Sequence, residues 1–455
     1  MKIAFNTLGC KLNYAETATY ERGFMAAGWE VVPWTAPADV YLINTCAVTE
    51  TAEKKSRNLI RRAHKTAPEA RIVVTGCYAE LRKEQLLSID GVWKVFGANE
   101  KQQIVPDTLL AAEEGVVPET HGHPRPCKRE GPTAASSDAL RNGRGRSEAE
   151  AVSGAIPSAV KTGVFGAYSS GEERTRAFLK VQDGCDNFCA YCTVPYARGR
   201  SRNIPICEVV KMARHIAAEG VKEVVLTGVN TGDFGRSSGE SFLDLLKALN
   251  EVEGIERYRI SSIEPNLITP EIVDWIASGT KFQRHFHIPL QSGSDTLLKR
   301  VGRRYDTALF AARIDYIRQR LERPGEPRVF FGIDVIVGLP GETEELFQET
   351  YTFLKEHIRP AFIHVFPYSR RPGTRAAEWK DQVQDRLKTE RVARLEALCR
   401  ELHAEFVQAH KGLHETVLWE SSEKDGLMAG YTGNYIRVER PYDAARVNQL
   451  EDIVL

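Results

Sequence analysis

The stretch VQDGCDNFCAYCTVPYARGR, residues 181–200, decides how this chain is read. It carries Cys185, Cys189 and Cys192 in the spacing C-x3-C-x2-C and follows directly on AFLK (177–180), a run with the character of a β-strand. Three thiolates so close in sequence can ligate three irons of a [4Fe–4S] cluster and leave the fourth iron open. A structural zinc site asks instead for four ligands in closed pairs. No matching pair stands nearby: Cys207 and His215 fall in an amphipathic helix.

Downstream of this loop, strand-like runs alternate with amphipathic helices. After AFLKVQDG come VKEVVLTGV (221–229), RYRISSIE (257–264), RHFHIPLQ (284–291), VFFGIDVIVG (329–338) and AFIHVFPYS (361–369). Six βα units predict a partial (β/α)6 barrel, two units short of a closed one. In such folds the active site lies in the loops after the strands, where the cysteine loop sits.

Upstream, residues 1–112 also alternate: KIAFNTLG (2–9), VYLINTCAV (40–48), RIVVTGCYA (71–79) and VWKVFGA (92–98) with helical segments between them. This predicts an N-terminal α/β domain around a parallel sheet. Cys10, Cys46 and Cys77 each end one of its strands. Loops that follow parallel strands share one sheet edge, so these thiols can converge as a second three-cysteine site. The alternative is three ordinary buried thiols, because free Cys packs as a small hydrophobe. Cys127, Cys207 and Cys399 are given no role. Residues 113–168, rich in Pro, Gly, Ser and charge, read as a flexible linker. The core is then 169–411, and short strands in 412–455 predict a small β-barrel.

At 455 residues the chain is too long for one hydrophobic core. Lys plus Arg and Asp plus Glu each number 61, so a polyanion would be met by local patches rather than by net charge. The opening MKIAFNTLGC has neither the charged nor the long apolar region of a signal peptide. The apolar run 329–339 is too short for a membrane span. A cytoplasmic protein without membrane contact is expected, its nine cysteines serving metals or catalysis before disulfides.

The C-x3-C-x2-C loop with Phe188 and Tyr191 resembles the radical S-adenosylmethionine superfamily. With the linker excepted, the chain is similar to the methylthiotransferases of that superfamily. The matching stretches are NTLGCKLNYAET (6–17), INTCAVTE (43–50), VTGCYAE (74–80), DGCDNFCAYCTVPYARGRSR (183–202), LTGVNTGDFG (226–235), HIPLQSGS (287–294), GIDVIVGLPGET (332–343) and FPYSRRPGT (366–374). The resemblance implies two [4Fe–4S] clusters and S-adenosylmethionine, chelated by the open iron at Cys185, Cys189 and Cys192. Reductive cleavage would give a 5′-deoxyadenosyl radical that removes hydrogen from an unactivated ring carbon. The Cys10/Cys46/Cys77 cluster would hold the sulfur to be transferred. Cofactor contacts are expected from Thr227, Gly228 and Asn230, from Ser262, Glu264 and Gln291, and from Gly338, Pro340 and Gly341. An electron donor of flavodoxin or ferredoxin type and a sulfur donor are implied partners.

TLGCKLNYAET and HVFPYSRRPGT resemble the branch that acts on N6-threonylcarbamoyladenosine beside the tRNA anticodon. The isopentenyladenosine branch has Gln-Met-Asn after the first Cys, where this chain has Lys11, Leu12 and Asn13. Isopentenyladenosine tRNA or an aspartate of a ribosomal protein are the alternative substrates. A non-enzymatic iron–sulfur RNA-binding protein is the alternative of another class, although electron carriers close their clusters with four thiolates. Expected RNA contacts are Arg198, Arg200 and Arg202 beside the cluster loop, Arg370, Arg371 and Arg375 after the last barrel strand, and the basic helix bearing Lys54, Lys55, Arg57, Arg61, Arg62 and Lys65. The terminal GYTGNYIRV (430–438) resembles a TRAM domain, with Tyr431 and Tyr435 placed either to stack on bases or to fill the core of the small barrel. On that resemblance the chain stops about one strand short of the domain.

Overall fold

The five strands β1 (Lys2–Thr7), β2 (Glu30–Val32), β3 (Val40–Thr45), β4 (Arg71–Gly76) and β5 (Val92–Val95) form an all-parallel sheet. Their order is β2-β1-β3-β4-β5. Every position of β3 is buried, as in a sheet covered by helices on both faces. The winding reverses between β1 and β3, and such a switch point opens a crevice at the carboxyl ends of the strands. Cys10 follows β1 and Cys46 follows β3, so two of the three upstream thiols flank that crevice. Cys77 opens the short helix Cys77–Leu81 directly after β4.

This computed structural model describes residues 1–113, 165–169 and 175–455. The expected linker, with Cys127, lies outside the described residues apart from 113 and its last four, 165–168. Phe165 is buried and stacks on Tyr20 at 5.3 Å, and Tyr168 bridges to Leu179.

The barrel region supplies β6 (Arg176–Lys180), then a two-residue ribbon, β7 (Gln182–Asp183) against β8 (Arg202–Asn203), that pins the base of the cysteine loop. Next come β9 (Glu223–Thr227), β10 (Arg257–Ile260), β11 (His285–Gln291), β12 (Phe330–Val337) and β13 (Phe362–Pro367). β6, β9 and β10 are neighbours in one parallel sheet; β11, β12 and β13 form the next. Parallel bridges Tyr258–Phe282 and Ser262–His287 join the two halves, giving the expected six-unit partial barrel.

Alternation along these strands sorts the side chains. Leu179, Leu226, Tyr258, Ile288, Ile333, Val335 and Ile363 pack outward into one core with the helices. Their neighbours Arg176, Phe178, Lys180, Glu223, Arg259, His285, His287, Asp334 and His364 therefore line the lumen. Helix Lys11–Ala26 of the N-terminal domain covers it on the β6 side, where Phe178 packs into the N-terminal core and Lys180 pairs with Glu16 at 2.7 Å.

At the other end lie β14 (His414–Lys424), β15 (Leu427–Thr432), β16 (Arg437–Pro441) and β17 (Leu450–Val454). They form a four-stranded antiparallel sheet in the order β16-β15-β14-β17. Tyr435, expected to stack on a base, instead plugs the floor of the barrel. Its hydroxyl accepts from Arg176 at 2.5 Å, Arg259 lies 4.2 Å over its ring, and His285 packs at 4.7 Å. Tyr431 is half-buried beside it, 5.5 Å away and under Arg176. Both rings are anchors of the sheet against the barrel rather than free platforms. Among the described residues no helix is long and apolar enough to cross a membrane.

Candidate active site

Gly9 makes the upstream site possible. Its φ is +104°, and an added Cβ would come within 2.9 Å of Cys46 Cβ, so the Cys10 loop lies directly on Cys46. Asn13 pins the same loop, its Nδ2 donating to Leu8 O at 2.8 Å and Thr45 O at 3.1 Å. Burial pushes the Cys46 thiol up to about 12, with Cys77 and then Cys10 adding to the rise, so the three sulfurs share one neighbourhood. Cys77 is raised by burial and opposed by Arg198, which hydrogen-bonds it.

The downstream loop repeats the pattern. Cys185 N donates to Gly199 O and Cys192 N to Cys189 O. Burial raises Cys185 to about 11 and Cys192 to about 12, the neighbouring Cys189 contributing to both. Loading iron on either triad must therefore release protons. Among the described residues the one group of metal-binding side chains with all ligand atoms within 4.8 Å is His287, Asp334 and His364. Neither cysteine triad is that tight. Tetrahedral ligation at a Zn–S length of 2.3 Å would hold sulfurs about 3.8 Å apart. Three sulfur donors without a fourth ligand are the set that a [4Fe–4S] cluster with one open iron would take.

A buried charge network joins the two triads, and nothing in the sequence announced it. Glu16, fully buried, accepts from Lys101 at 2.7 Å, Lys180 at 2.7 Å and Arg198 at 3.3 Å. Asp183, two residues before Cys185, takes Lys180 at 2.6 Å and Arg198 at 2.9 Å. Arg198 also donates to Asn13 Oδ1 at 2.5 Å. Three cations against two carboxylates leave one positive charge, directed at the upstream thiols.

Arg198 was expected to meet phosphate; the structure corrects this, because it is 3% exposed and fully engaged. Arg371 is corrected likewise: it is buried and paired with Glu53 of helix Glu50–Thr66, tying the barrel to the N-terminal domain. Arg200, with a side chain 75% exposed, and Arg370 and Arg375 remain on the surface, and Arg202 is half-buried. On the basic helix Lys54, Lys55, Arg61, Arg62 and Lys65 are exposed, while Arg57 donates to the Tyr78 hydroxyl at 2.7 Å.

The strand-end residues divide in two. Buried polar atoms without a protein partner gather after β9 and β10: Thr227 Oγ1, both amide atoms of Asn230 and Ser261 Oγ. A buried group left unpaired costs about 1–3 kcal/mol, so these suit a polar ligand such as an amino-acid moiety. Gly228 faces the Gln182 amide, whose Oε1 accepts from the backbone of Val229 at 2.9 Å and Asn230 at 3.0 Å. Gln182 thereby couples the β9 loop to the cysteine loop and was missed. Ser262 is tied through its backbone oxygen, which accepts from Thr231. Glu264 takes Asn187 at 2.8 Å and Arg303 at 2.8 Å; Arg303 also donates to Cys189 Sγ at 3.3 Å, another residue missed. Gln291 holds φ +70° at a register shift in β11, a strain of the kind that collects at functional sites. Of the cofactor contacts expected at Gly338, Pro340 and Gly341, the two glycines lie close against other side chains. Lys388 stands 2.3 Å from where a Cβ of Gly338 would be, and Arg300 stands 1.8 Å from that of Gly341.

Comparison with known proteins agrees with this layout. Residues 2–97 match the family described as "Uncharacterized protein family UPF0004", and residues 179–354 match the Radical SAM superfamily. Threonylcarbamoyladenosine tRNA methylthiotransferase MtaB of Bacillus subtilis (strain 168) is 38% identical, over 96% of this chain and 89% of that protein. Its counterpart in Aquifex aeolicus (strain VF5) is 36% identical over 97% of each. A tRNA-2-methylthio-N(6)-dimethylallyladenosine synthase of Geobacter sulfurreducens is 33% identical over 94% of this chain and 89% of its own. Among solved structures, the radical S-adenosylmethionine methyltransferase TsrM of Kitasatospora setae superposes with a TM-score of 0.55 at 15% identity, covering 83% of this chain and 75% of that one, a likeness of fold. The chain belongs to the radical S-adenosylmethionine tRNA methylthiotransferases.

Proposed function

We propose that this protein converts N6-threonylcarbamoyladenosine next to the tRNA anticodon to its 2-methylthio derivative, in the cytoplasm. Membership of the radical SAM superfamily implies a [4Fe–4S] cluster and S-adenosylmethionine; the second cluster, at Cys10, Cys46 and Cys77, is part of the proposal. The observation that carries it is the pair of three-thiol sites, each at the carboxyl ends of parallel strands and joined by one buried network. Full-length similarity to the threonylcarbamoyladenosine enzymes supports the substrate.

When bound, the cofactors supply one-electron chemistry at an unactivated carbon and an open iron for sulfur. The protein's part is to hold and shield. Cys185, Cys189 and Cys192 would ligate the first cluster, with Arg303 donating to Cys189 and fixing Glu264. Thr227 and Asn230 offer the free polar atoms for the methionine end of S-adenosylmethionine. Arg198 offsets thiolate charge at Cys77. Reducing equivalents and sulfur would come from a flavodoxin- or ferredoxin-type protein and a separate donor.

Anaerobic reconstitution with iron counting tests the two-site reading. About eight irons should fall to about four in either triple Cys→Ala variant, as two [4Fe–4S] clusters require. About four irons falling to none when Cys185, Cys189 and Cys192 are replaced would remove the upstream cluster and methylthiolation with it. Nucleoside analysis of tRNA from cells with and without the protein then identifies the base.

For the RNA surface, Arg200→Ala and Arg375→Ala should each weaken tRNA binding and lower the salt dependence by about one counterion. An unchanged salt slope in both would take the phosphate path away from this face.

A further inference from the structure

The barrel lumen holds a second constellation that the cluster chemistry does not use. His287 of β11, Asp334 of β12 and His364 of β13 meet at one level, with His287 Nε2 2.7 Å from Asp334 Oδ1 and the two imidazoles stacked 5.0 Å apart at 7°. Gly332, two residues before Asp334 on the same face, lies beside them: an added Cβ would sit 3.4 Å from Phe330, 3.9 Å from His364 and 4.0 Å from His287. All three side chains are only half-buried. Below them, Arg176 and Arg259 rest on the Tyr435 plug.

From the N-terminal domain, Lys11 enters this space. It opens helix Lys11–Ala26, which closes the lumen, and its ammonium feels Arg176, Arg259, Asp334 and Glu223, while His364 and His285 in turn feel Lys11. Among the described residues Lys11 forms no ion pair or hydrogen bond. The other charges here are already engaged: Glu223 by Arg259 at 2.7 Å, Glu420 by Arg176 at 2.6 Å and Asp334 by His287. Both arginines therefore have carboxylate partners, and Lys11 is the cation of this group left without one. A buried ammonium without a partner favours an anionic group beside Lys11.

We propose that this part of the lumen is a carboxylate subsite, that it receives the acidic end of the N6 substituent of the target nucleoside, and that Lys11 is the residue that sets the preference for an acidic over an apolar substituent. This rests on the substrate reading given above and adds where its charge is read. Lys11 directly follows Cys10, so the group that reads the substituent is covalently adjacent to the proposed sulfur-bearing cluster. Misplaced substituents would misplace the base.

The test measures binding of anticodon stem-loops carrying threonylcarbamoyladenosine, its carboxyl methyl ester, dimethylallyladenosine or plain adenosine to the reconstituted protein. Wild type should bind the acid at least tenfold more tightly than the ester. In Lys11→Met that ratio should collapse towards one, with binding of the plain stem-loop little changed, and Lys11→Arg should restore much of it. The ester comparison needs no mutation, so it stands even if the Met variant fails to load iron. No preference by wild type for the acid over dimethylallyladenosine or plain adenosine would sink the substrate reading. A preference that survives both esterification and Lys11→Met would sink the subsite alone. One divalent ion per chain beyond iron, lost in His364→Ala, would make the trio a metal site and overturn the proposal.

Discussion

Replacing Glu16 with glutamine should cost about 3–5 kcal/mol of stability, the usual penalty when one partner of a buried ion pair is removed. Glu16 has no exposed side-chain surface and answers three cations, two of them, Lys180 and Arg198, from the barrel region and one, Lys101, from its own domain. Without it those cations face Asp183 alone. The N-terminal domain should then undock before the barrel melts, splitting one denaturation transition into two. The same residue sets an acid limit. Burial alone would raise the Glu16 and Asp183 carboxyls, but Lys101, Lys180 and Arg198 hold both well below the usual carboxylate range. Their stabilisation is fully present above the unfolded value, about 4, and fades as pH falls below it towards the folded values. Urea midpoints from pH 3 to 7 should show that acid loss blunted in Glu16→Gln. A variant with the wild-type midpoint and the wild-type acid limb would mean the network contributes nothing net.

Gly76→Ala should empty the upstream site while sparing the other. Gly76 sits at φ +99°, and a Cβ there would lie 2.2 Å from Thr45 O. Thr45 and Gly76 are register partners in β3 and β4, so neither backbone can yield without parting the strands that carry Cys46 and Cys77. Left-handed backbone at a non-glycine residue costs about 1–3 kcal/mol and overpacking about 1–3 more. Iron should fall from about eight to about four per chain, with S-adenosylmethionine binding at the barrel cluster kept. Gly28→Ala is the control: φ is +80° but nothing lies within 4 Å, so it pays the backbone cost without the clash. Full iron content in Gly76→Ala would show that the Cys77 turn tolerates a shift.

The cysteines were legible because their chemistry is local. C-x3-C-x2-C holds three thiols in one loop, and three strand-terminal thiols in a parallel sheet share an edge. The six βα units and the antiparallel C-terminal strands were legible for a similar reason, since hydrophobic period and turn residues act over a few positions. The arginines were not. Arg198 and Arg200 stand two residues apart in one basic stretch, yet one is sealed against Glu16 and Asp183 and the other points to solvent. What separates them is Glu16, 182 residues away, brought there only when helix Lys11–Ala26 docks on β6. At Gly338 and Gly341 too, the neighbours Lys388 and Arg300 come from helices remote in sequence. The sequence by itself determined where the six thiols stand relative to the strands and the period of the sheets that present them, because both depend on covalent neighbours. Tertiary structure alone decided which charges are buried, which aromatics are plugs, and which groups the Lys11 ammonium feels, because desolvation and Coulomb energy depend on what packs through space.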